Sequence, residues 1–237
     1  MDKLNVGVEG LDPLLFGGLP KGRSYLVSGE PGTGKTIFCL QFLLTGLKQG
    51  ERAMYVTFDE KPDHIIADAK ELGWDLEPYF EKGLLQILDV TTYFGSLKKA
   101  DGSTLDLEKT IYNISKLIQD QGVSRLAMDP IVPIILMQEQ TPEVIGYIRQ
   151  LIFTLESKKT CTSLLTSYVP VGSQRLSSHG VEEFAASGIF VLKLLFQDHQ
   201  KIRGISIRKM RGSCIDFNDY HFDILKNRGI VIRQAIT

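Results

Sequence analysis

Cysteine is scarce in this 237-residue sequence, and the three present, Cys39, Cys161 and Cys214, are odd in number and far apart. None falls in a CxxC or Cys/His spacing, which argues against a zinc framework or a disulfide scaffold and predicts buried thiols in a reducing compartment. Long hydrophobic runs are absent too. No stretch approaches the roughly eighteen apolar residues of a membrane-spanning helix, and Met1-Asp2-Lys3-Leu4-Asn5 opens without the apolar region of an export signal. The expected location is the cytoplasm, with no membrane partner. An excess of either charge is also missing, since 27 Lys and Arg stand against 28 Asp and Glu, for a net charge of −1. Such a chain has no overall positive field to draw it onto a nucleic-acid backbone. Low-complexity tracts, internal repeats and long Pro/Ser linkers are lacking as well, so residues 1–237 are read as one domain.

What is present is an alternation of buried-strand and helix patterns. Ser24 to Ser28 is a short apolar run before a glycine-rich turn, and Ile37 to Leu44 after it fits the apolar face of a helix. Ala53 to Phe58 reads as a second strand. A helix follows from Pro62 through Leu72, with Gly73 as its stop. Leu84 to Leu88 predicts a third strand, Leu107 to Ile118 a helix, and Ser124 to Met128 a strand ending at Asp129. A helix from Pro142 to Ser157, a strand from Ser163 to Thr166 and late strands at Ile189 to Leu195 and Ile202 to Arg208 complete the series. The expected fold is α/β, a largely parallel central sheet flanked by helices with an antiparallel C-terminal extension.

The turn from Gly29 to Thr36 satisfies GxxxxGK[ST] and lies between a predicted strand and a predicted helix, the context a phosphate-binding loop requires. Gly32 and Gly34 let successive backbone amides face one point, and the helix N-terminus adds positive potential there. Pro31, Gly32, Thr33, Gly34, Lys35, Thr36 and Ile37 are therefore the candidate ATP-binding residues. Lys35 would neutralise the β- and γ-phosphates, and Thr36 would hold Mg2+. A carboxylate that supports the magnesium belongs at the end of a neighbouring strand, where Asp129 stands; its alternative is a turn aspartate before Pro130. Asp59 and Glu60 close the second strand, where parallel sheets place their ligand crevice. They read either as groups that align water against the γ-phosphate or as the solvated start of the next helix. Lys209 and Arg211 sit at i and i+2, which on a strand places both cations on one face. Such cations fit delivery to a phosphoryl group across an interface, or simply a solvated face.

With these residues in hand the chain resembles a single RecA-type domain of the KaiC family of ATPases, most like the N-terminal of that family's two domains. The likeness runs over nearly the whole chain. It is carried by Gly7-Val8-Glu9-Gly10-Leu11-Asp12, Gly17-Gly18-Leu19-Pro20, the phosphate loop and Val56-Thr57-Phe58-Asp59-Glu60, and most specifically by Gly73-Trp74-Asp75-Leu76, Gly180-Val181-Glu182-Glu183-Phe184 and Lys209-Met210-Arg211-Gly212-Ser213. The resemblance implies a RecA-like fold and a homo-oligomer, a hexameric ring with ATP between neighbouring subunits. It places the catalytic acidic pair on Asp59 and Glu60, the magnesium aspartate on Asp129, and neighbour-supplied γ-phosphate contacts on Lys209 and Arg211. Ribose and base contacts would fall around Arg203, Met210 and Ser213.

This chain departs from the family pattern in three places. Asp59 stands where the family usually has glutamate, one methylene longer. Pro130 replaces a serine after the magnesium aspartate, removing a hydroxyl and an amide donor. Glu183 and Phe184 occupy the approximate positions of the autophosphorylated Ser-Thr pair of the family's second domain, so autokinase activity is not expected, and Ser177 and Ser178 nearby read as polar loop. The expected function is an ATPase whose nucleotide state is coupled to conformation or to a protein partner that the sequence does not identify. The competing readings are a nucleotide-cemented scaffold and a RadA-like accessory ATPase of DNA recombination. Against the last, the loop from Val169 to His179 holds Arg175 as its one fixed cation, too few for a strand-binding surface.

Overall fold

The computed structural model describes residues 2–90, 92, 107–132, 141–157, 159–173, 175–197 and 200–236. In chain order the elements are β1 (Lys3–Leu4), α1 (Leu11–Leu14), β2 (Leu19–Pro20), β3 (Ser24–Gly29), α2 (Lys35–Lys48), β4 (Ala53–Thr57), α3 (Pro62–Glu71), α4 (Glu77–Glu81) and β5 (Leu85–Asp89). They continue with α5 (Leu107–Asp120), β6 (Arg125–Asp129), α6 (Pro142–Ser157), β7 (Thr162–Tyr168), α7 (Val181–Ala185), β8 (Gly188–Gln197), β9 (Gln200–Met210), β10 (Asp219–Leu225) and β11 (Gly229–Ala235).

Nine strands form one sheet in the order β11-β10-β9-β8-β3-β7-β6-β4-β5. From β8 to β5 every pairing is parallel, and β9, β10 and β11 add antiparallel to that edge. The parallel strands are covered on both faces, which is why they read as nearly continuous apolar runs. Their side chains still divide by the two-residue period of a strand. Tyr25, Val27, Ala53, Tyr55, Ala127 and Leu164 face one core, packed with α2, α3 and Trp74. Leu26, Met54, Val56, Leu126, Met128 and Leu165 face the other, with Ile111, Ile114 and Ile118 of α5 and the buried stripe of α6. The spacing of those three isoleucines is that of one helix face.

Most predicted elements recur with ends moved by a residue or two. Gly73, at φ 84°, follows α3 as expected and donates its amide to the carbonyl of Lys70. The antiparallel extension is longer than the two predicted strands, which appear as β8 and β9, because β10 and β11 continue it. Cys39 and Cys161 are buried, but Cys214 is exposed in the segment after β9, which corrects the expectation of three buried thiols. Among the described residues no helix is long and apolar enough to cross a membrane.

Candidate nucleotide-binding site

The crevice forms where β3 ends and α2 begins. Gly32 and Gly34 adopt φ 76° and 104°, a left-handed backbone that side chains disfavour. A Cβ at Gly34 would also stand 3.1 Å from Cδ1 of Ile224, whereas one at Gly32 would meet nothing within 4 Å. The loop therefore presents open backbone at Gly32 and is backed by β10 at Gly34. Lys35 turns its ammonium across this loop and donates to the carbonyls of Gly29 and Glu30, each at 2.9 Å. Burial lowers its pKa, and Asp129 opposes that shift.

Asp129 sits at the end of β6 at the centre of a ring of hydroxyls. Its Oδ2 accepts from Thr36 at 2.6 Å and from Tyr55 at 2.7 Å, and its Oδ1 accepts from Thr166 at 2.5 Å. Burial, with Asp129 alongside, pushes the Tyr55 phenol well above its ordinary pKa, so it remains a donor. Thr36 and Asp129 are hard oxygen donors, which suits Mg2+. Among the described residues no group of three or more His, Cys, Asp or Glu side chains forms a metal site.

A cavity of about 440 Å³ opens beside the loop, lined by Gly32, Gly34, Lys35, Thr36, Ile37 and Leu40 on one side. Glu60, Asp68 and Glu71 supply an acidic wall, and Arg203 and Ile224 a third. Of the acidic pair, Glu60 faces this cavity while Asp59 is exposed. Burial raises the Glu60 pKa, with Asp68 and Asp129 adding to the effect. The Thr57 hydroxyl holds the Glu60 backbone, donating to its carbonyl and accepting from its amide at 3.0 Å each. Arg203 lines the cavity, and its Nε is buried without a hydrogen-bond partner among the described residues.

Strand register decides where the remaining candidates stand. Tyr25 pairs with Gly188 and Gly29 with Leu192, while Gly188 pairs with Met210, Leu192 with Ile205 and Leu194 with Arg203. Arg203 is thus at the loop end of the sheet, and Lys209, Met210 and Arg211 are at the opposite end. Lys209 lies six positions beyond Arg203 along the strand, about 20 Å at 3.3 Å per residue. Lys209 Nζ donates to the carbonyls of Glu183, Phe184 and Ala186 at 2.7, 3.2 and 2.8 Å, and Arg211 Nη2 donates to that of Phe184 at 2.8 Å. Both cations therefore gather at the end of α7, beside a second cavity of about 620 Å³ lined in part by Leu176, Phe184 and Phe217. Met210 is buried, its thioether against Gly188, so that position offers backbone rather than side chain. Ser213 accepts a 2.9 Å bond from Lys3 and donates to the carbonyl of Leu15 at 3.1 Å.

Asp68, Glu71 and Ile224 line the cavity, and Tyr55 and Thr166 donate to Asp129, although sequence reasoning did not single any of them out. Tyr55 and Thr166 carried a signal, being polar residues inside otherwise buried strands, but their common target emerges only from the pairing of β4, β6 and β7.

Comparison with known proteins shows the family and the fold. The family model described as "ATPase: KaiC" matches residues 4–236. The chain is 33% identical over 238 residues to UPF0273 protein PH0284 of Pyrococcus horikoshii, covering 97% of this chain and 93% of that protein. It is 32% identical over 223 residues to the circadian clock oscillator protein KaiC of Synechococcus elongatus, covering 94% of this chain but 42% of that protein. It therefore spans nearly all of the archaeal relative and less than half of the clock protein. The crystal structure of KaiC-like protein PH0186 from Pyrococcus horikoshii superposes with a TM-score of 0.84 at 30% identity, covering 98% of this chain and 99% of that one. The fold is accordingly a KaiC-like, RecA-type α/β fold.

Proposed function

This chain belongs to the KaiC ATPase family, and from that premise we propose that it hydrolyses ATP at sites shared between neighbouring copies in a homo-oligomeric ring, expected to be a hexamer. The observation that carries this reading is the placement of Arg203 and Lys209 at opposite ends of β9. About 20 Å of strand is longer than any lysine or arginine side chain can span. Lys209 and Arg211 therefore serve a bound nucleotide only if a second copy brings its phosphate loop to them.

Within one copy, the amides from Gly32 to Ile37 and the Lys35 ammonium would bind the phosphates, and Arg203 with Ile224 would form the far wall for ribose and base. Thr36 and Asp129 would hold magnesium, which when bound neutralises charge on the phosphate oxygens. Glu60 lies in the cavity with a raised pKa, and its carboxylate is the group we assign to aligning the attacking water and accepting its proton. The neighbour's Lys209 and Arg211 would stabilise charge on the transferring phosphoryl group. Asp59, short and exposed, and Pro130, without an amide donor, favour slow turnover.

A nucleotide-cemented scaffold with negligible turnover is the second reading, and the exposure of Asp59 is the observation that favours it. The clock role in the name of the cyanobacterial relative belongs to a chain of which this one spans 42%, and it is not proposed here. Phosphate release under multiple turnover, paired with native mass measured with and without ATP and magnesium, separates the readings. A ring that forms with nucleotide and releases many phosphates per site supports the enzyme. A ring that releases at most one per site supports the scaffold, and a monomer in both conditions contradicts shared sites.

A further inference from the structure

Two consecutive residues near the nucleotide end of β7 link Asp129 to the segment that holds the two cations. Thr166 and Ser167 leave the strand on opposite faces. Thr166 donates to Asp129 Oδ1 at 2.5 Å, and Ser167 donates to Glu182 Oε1 at 3.0 Å. Glu182 is fully buried. Burial pushes its carboxyl pKa up, yet the surrounding donors, His179 foremost, bring it below the ordinary value. The Ser177 hydroxyl reaches its Oε2 at 3.2 Å and the amide of His179 reaches its Oε1 at 3.3 Å. The His179 imidazole stands 3.5 Å from that same oxygen.

A carboxylate is costly to bury even when fully hydrogen-bonded, and core stability does not by itself call for one. Its position supplies a different reason. Glu182 lies in α7, whose five residues are too few to hold a helix on their own. The carbonyls that follow it, those of Glu183, Phe184 and Ala186, are the ones that hold Lys209, and Phe184 also holds Arg211. The buried carboxylate thus fixes to β7 the segment that orients both cations.

We propose that Glu182 is a positioning residue for hydrolysis, locking α7 against β7 so that its C-terminal carbonyls present Lys209 and Arg211 to the neighbouring copy's nucleotide. This rests on the shared-site reading above. Because the effect is exerted on a neighbour's reaction, it has a signature that a merely structural residue lacks, namely that the defect follows the copy that donates the cations.

In the homogeneous protein, Glu182→Gln is expected to lower kcat about 10–100-fold, the scale of a misplaced catalytic group. The KM for ATP stays within about twofold, since the residues of the phosphate loop are untouched. The decisive measurement mixes Lys35→Ala copies, which supply cations, with Arg211→Ala copies, which supply phosphate loops. Added to the Lys35→Ala copy, Glu182→Gln lowers the recovered rate about 10–100-fold; added to the Arg211→Ala copy, it leaves that rate within about twofold. Equal loss in both placements, or none in either, overturns the proposal while leaving shared sites standing. No recovery in the mixture without any Glu182 change, despite demonstrated mixed rings, overturns the shared-site reading and the proposal with it. Should Glu182→Gln fail to fold, Ser167→Ala removes one bond to the carboxylate, together with the bond that Ser167 accepts from the Ser178 amide, and carries the same test. A smaller loss confined to the cation-donating copy supports the proposal, and a loss independent of placement contradicts it.

Discussion

Arg203 and Lys209 occupy one strand, yet Arg203 lines the crevice of its own phosphate loop while Lys209 lies level with Leu26 in the first half of β3. Two basic positions that look interchangeable in the sequence therefore stand far apart on the strand, and the shared-site proposal assigns them to different nucleotides. Arg203→Ala is expected to weaken ATP binding by a single copy about tenfold, the worth of a cation against a base or phosphate in a partly desolvated site. Lys209→Ala should leave that affinity unchanged. Calorimetry at protein concentrations where native mass shows monomer is the check; equal affinity in the Arg203→Ala protein and wild type would detach Arg203 from the nucleotide.

Lys35 already spends its ammonium on the carbonyls of Gly29 and Glu30 at the mouth of the loop. Its replacement by alanine removes the loop's own cation and is expected to abolish tight ATP binding, a fall of about 100-fold or more in affinity. The same calorimetric titration reads this out, and undiminished affinity would move the nucleotide elsewhere.

Glu60 and Asp59 make a contrast that a sequence cannot rank. Glu60→Gln should lower kcat by about 10²–10⁴-fold with little change in nucleotide affinity. Asp59→Asn should cost far less. The sign of the pH effect follows from burial: it raises the Glu60 pKa above that of an ordinary glutamate, so its carboxylate is lost to protonation at a higher pH as the solution is acidified. Wild-type kcat therefore falls on acidification through that raised pKa, and the Glu60→Gln protein lacks this limb. An unchanged acid limb in the variant would assign it to another group.

Gln41 holds the C-terminal hairpin to α2. Its amide nitrogen donates to the carbonyls of Gly7, Arg228 and Ile230 at 2.8, 3.0 and 3.1 Å, and its oxygen accepts from the amide of Ile230 at 2.8 Å. Gln41→Leu keeps the volume and strands several buried backbone groups, each worth about 1–3 kcal/mol, so a loss of roughly 3 kcal/mol is expected. Urea denaturation measures it, and a change below about 0.5 kcal/mol would show that water or rearrangement replaces the amide.

Legibility in the sequence followed locality and burial. The strands β3 to β7 announced themselves because both faces are covered, leaving apolar runs with sharp ends. β10 did not, since Phe222 is its one buried residue and the rest are half-exposed, which erases the alternation a strand would otherwise display. The phosphate loop was legible because its function is written in eight consecutive residues. The hydroxyl ring around Asp129 was not, because Tyr55 and Thr166 reach it from 74 and 37 residues away. The proposed division of β9 between two nucleotides rests on the β8–β9 register, which residue spacing alone does not contain.

The measurement that bears most directly on shared sites is phosphate release from a mixture of Lys35→Ala and Arg211→Ala copies, co-refolded or exchanged into common rings. Each variant alone lacks one half of every site, and loss of a cation at the transition state costs about 10³-fold or more. Mixing creates interfaces that pair an intact phosphate loop with an intact cation pair, so the mixture is predicted to regain a substantial fraction of wild-type activity. Wild-type activity in the Arg211→Ala protein alone, or no recovery in rings shown to contain both variants, would contradict the claim that Lys209 and Arg211 act on a neighbour's ATP.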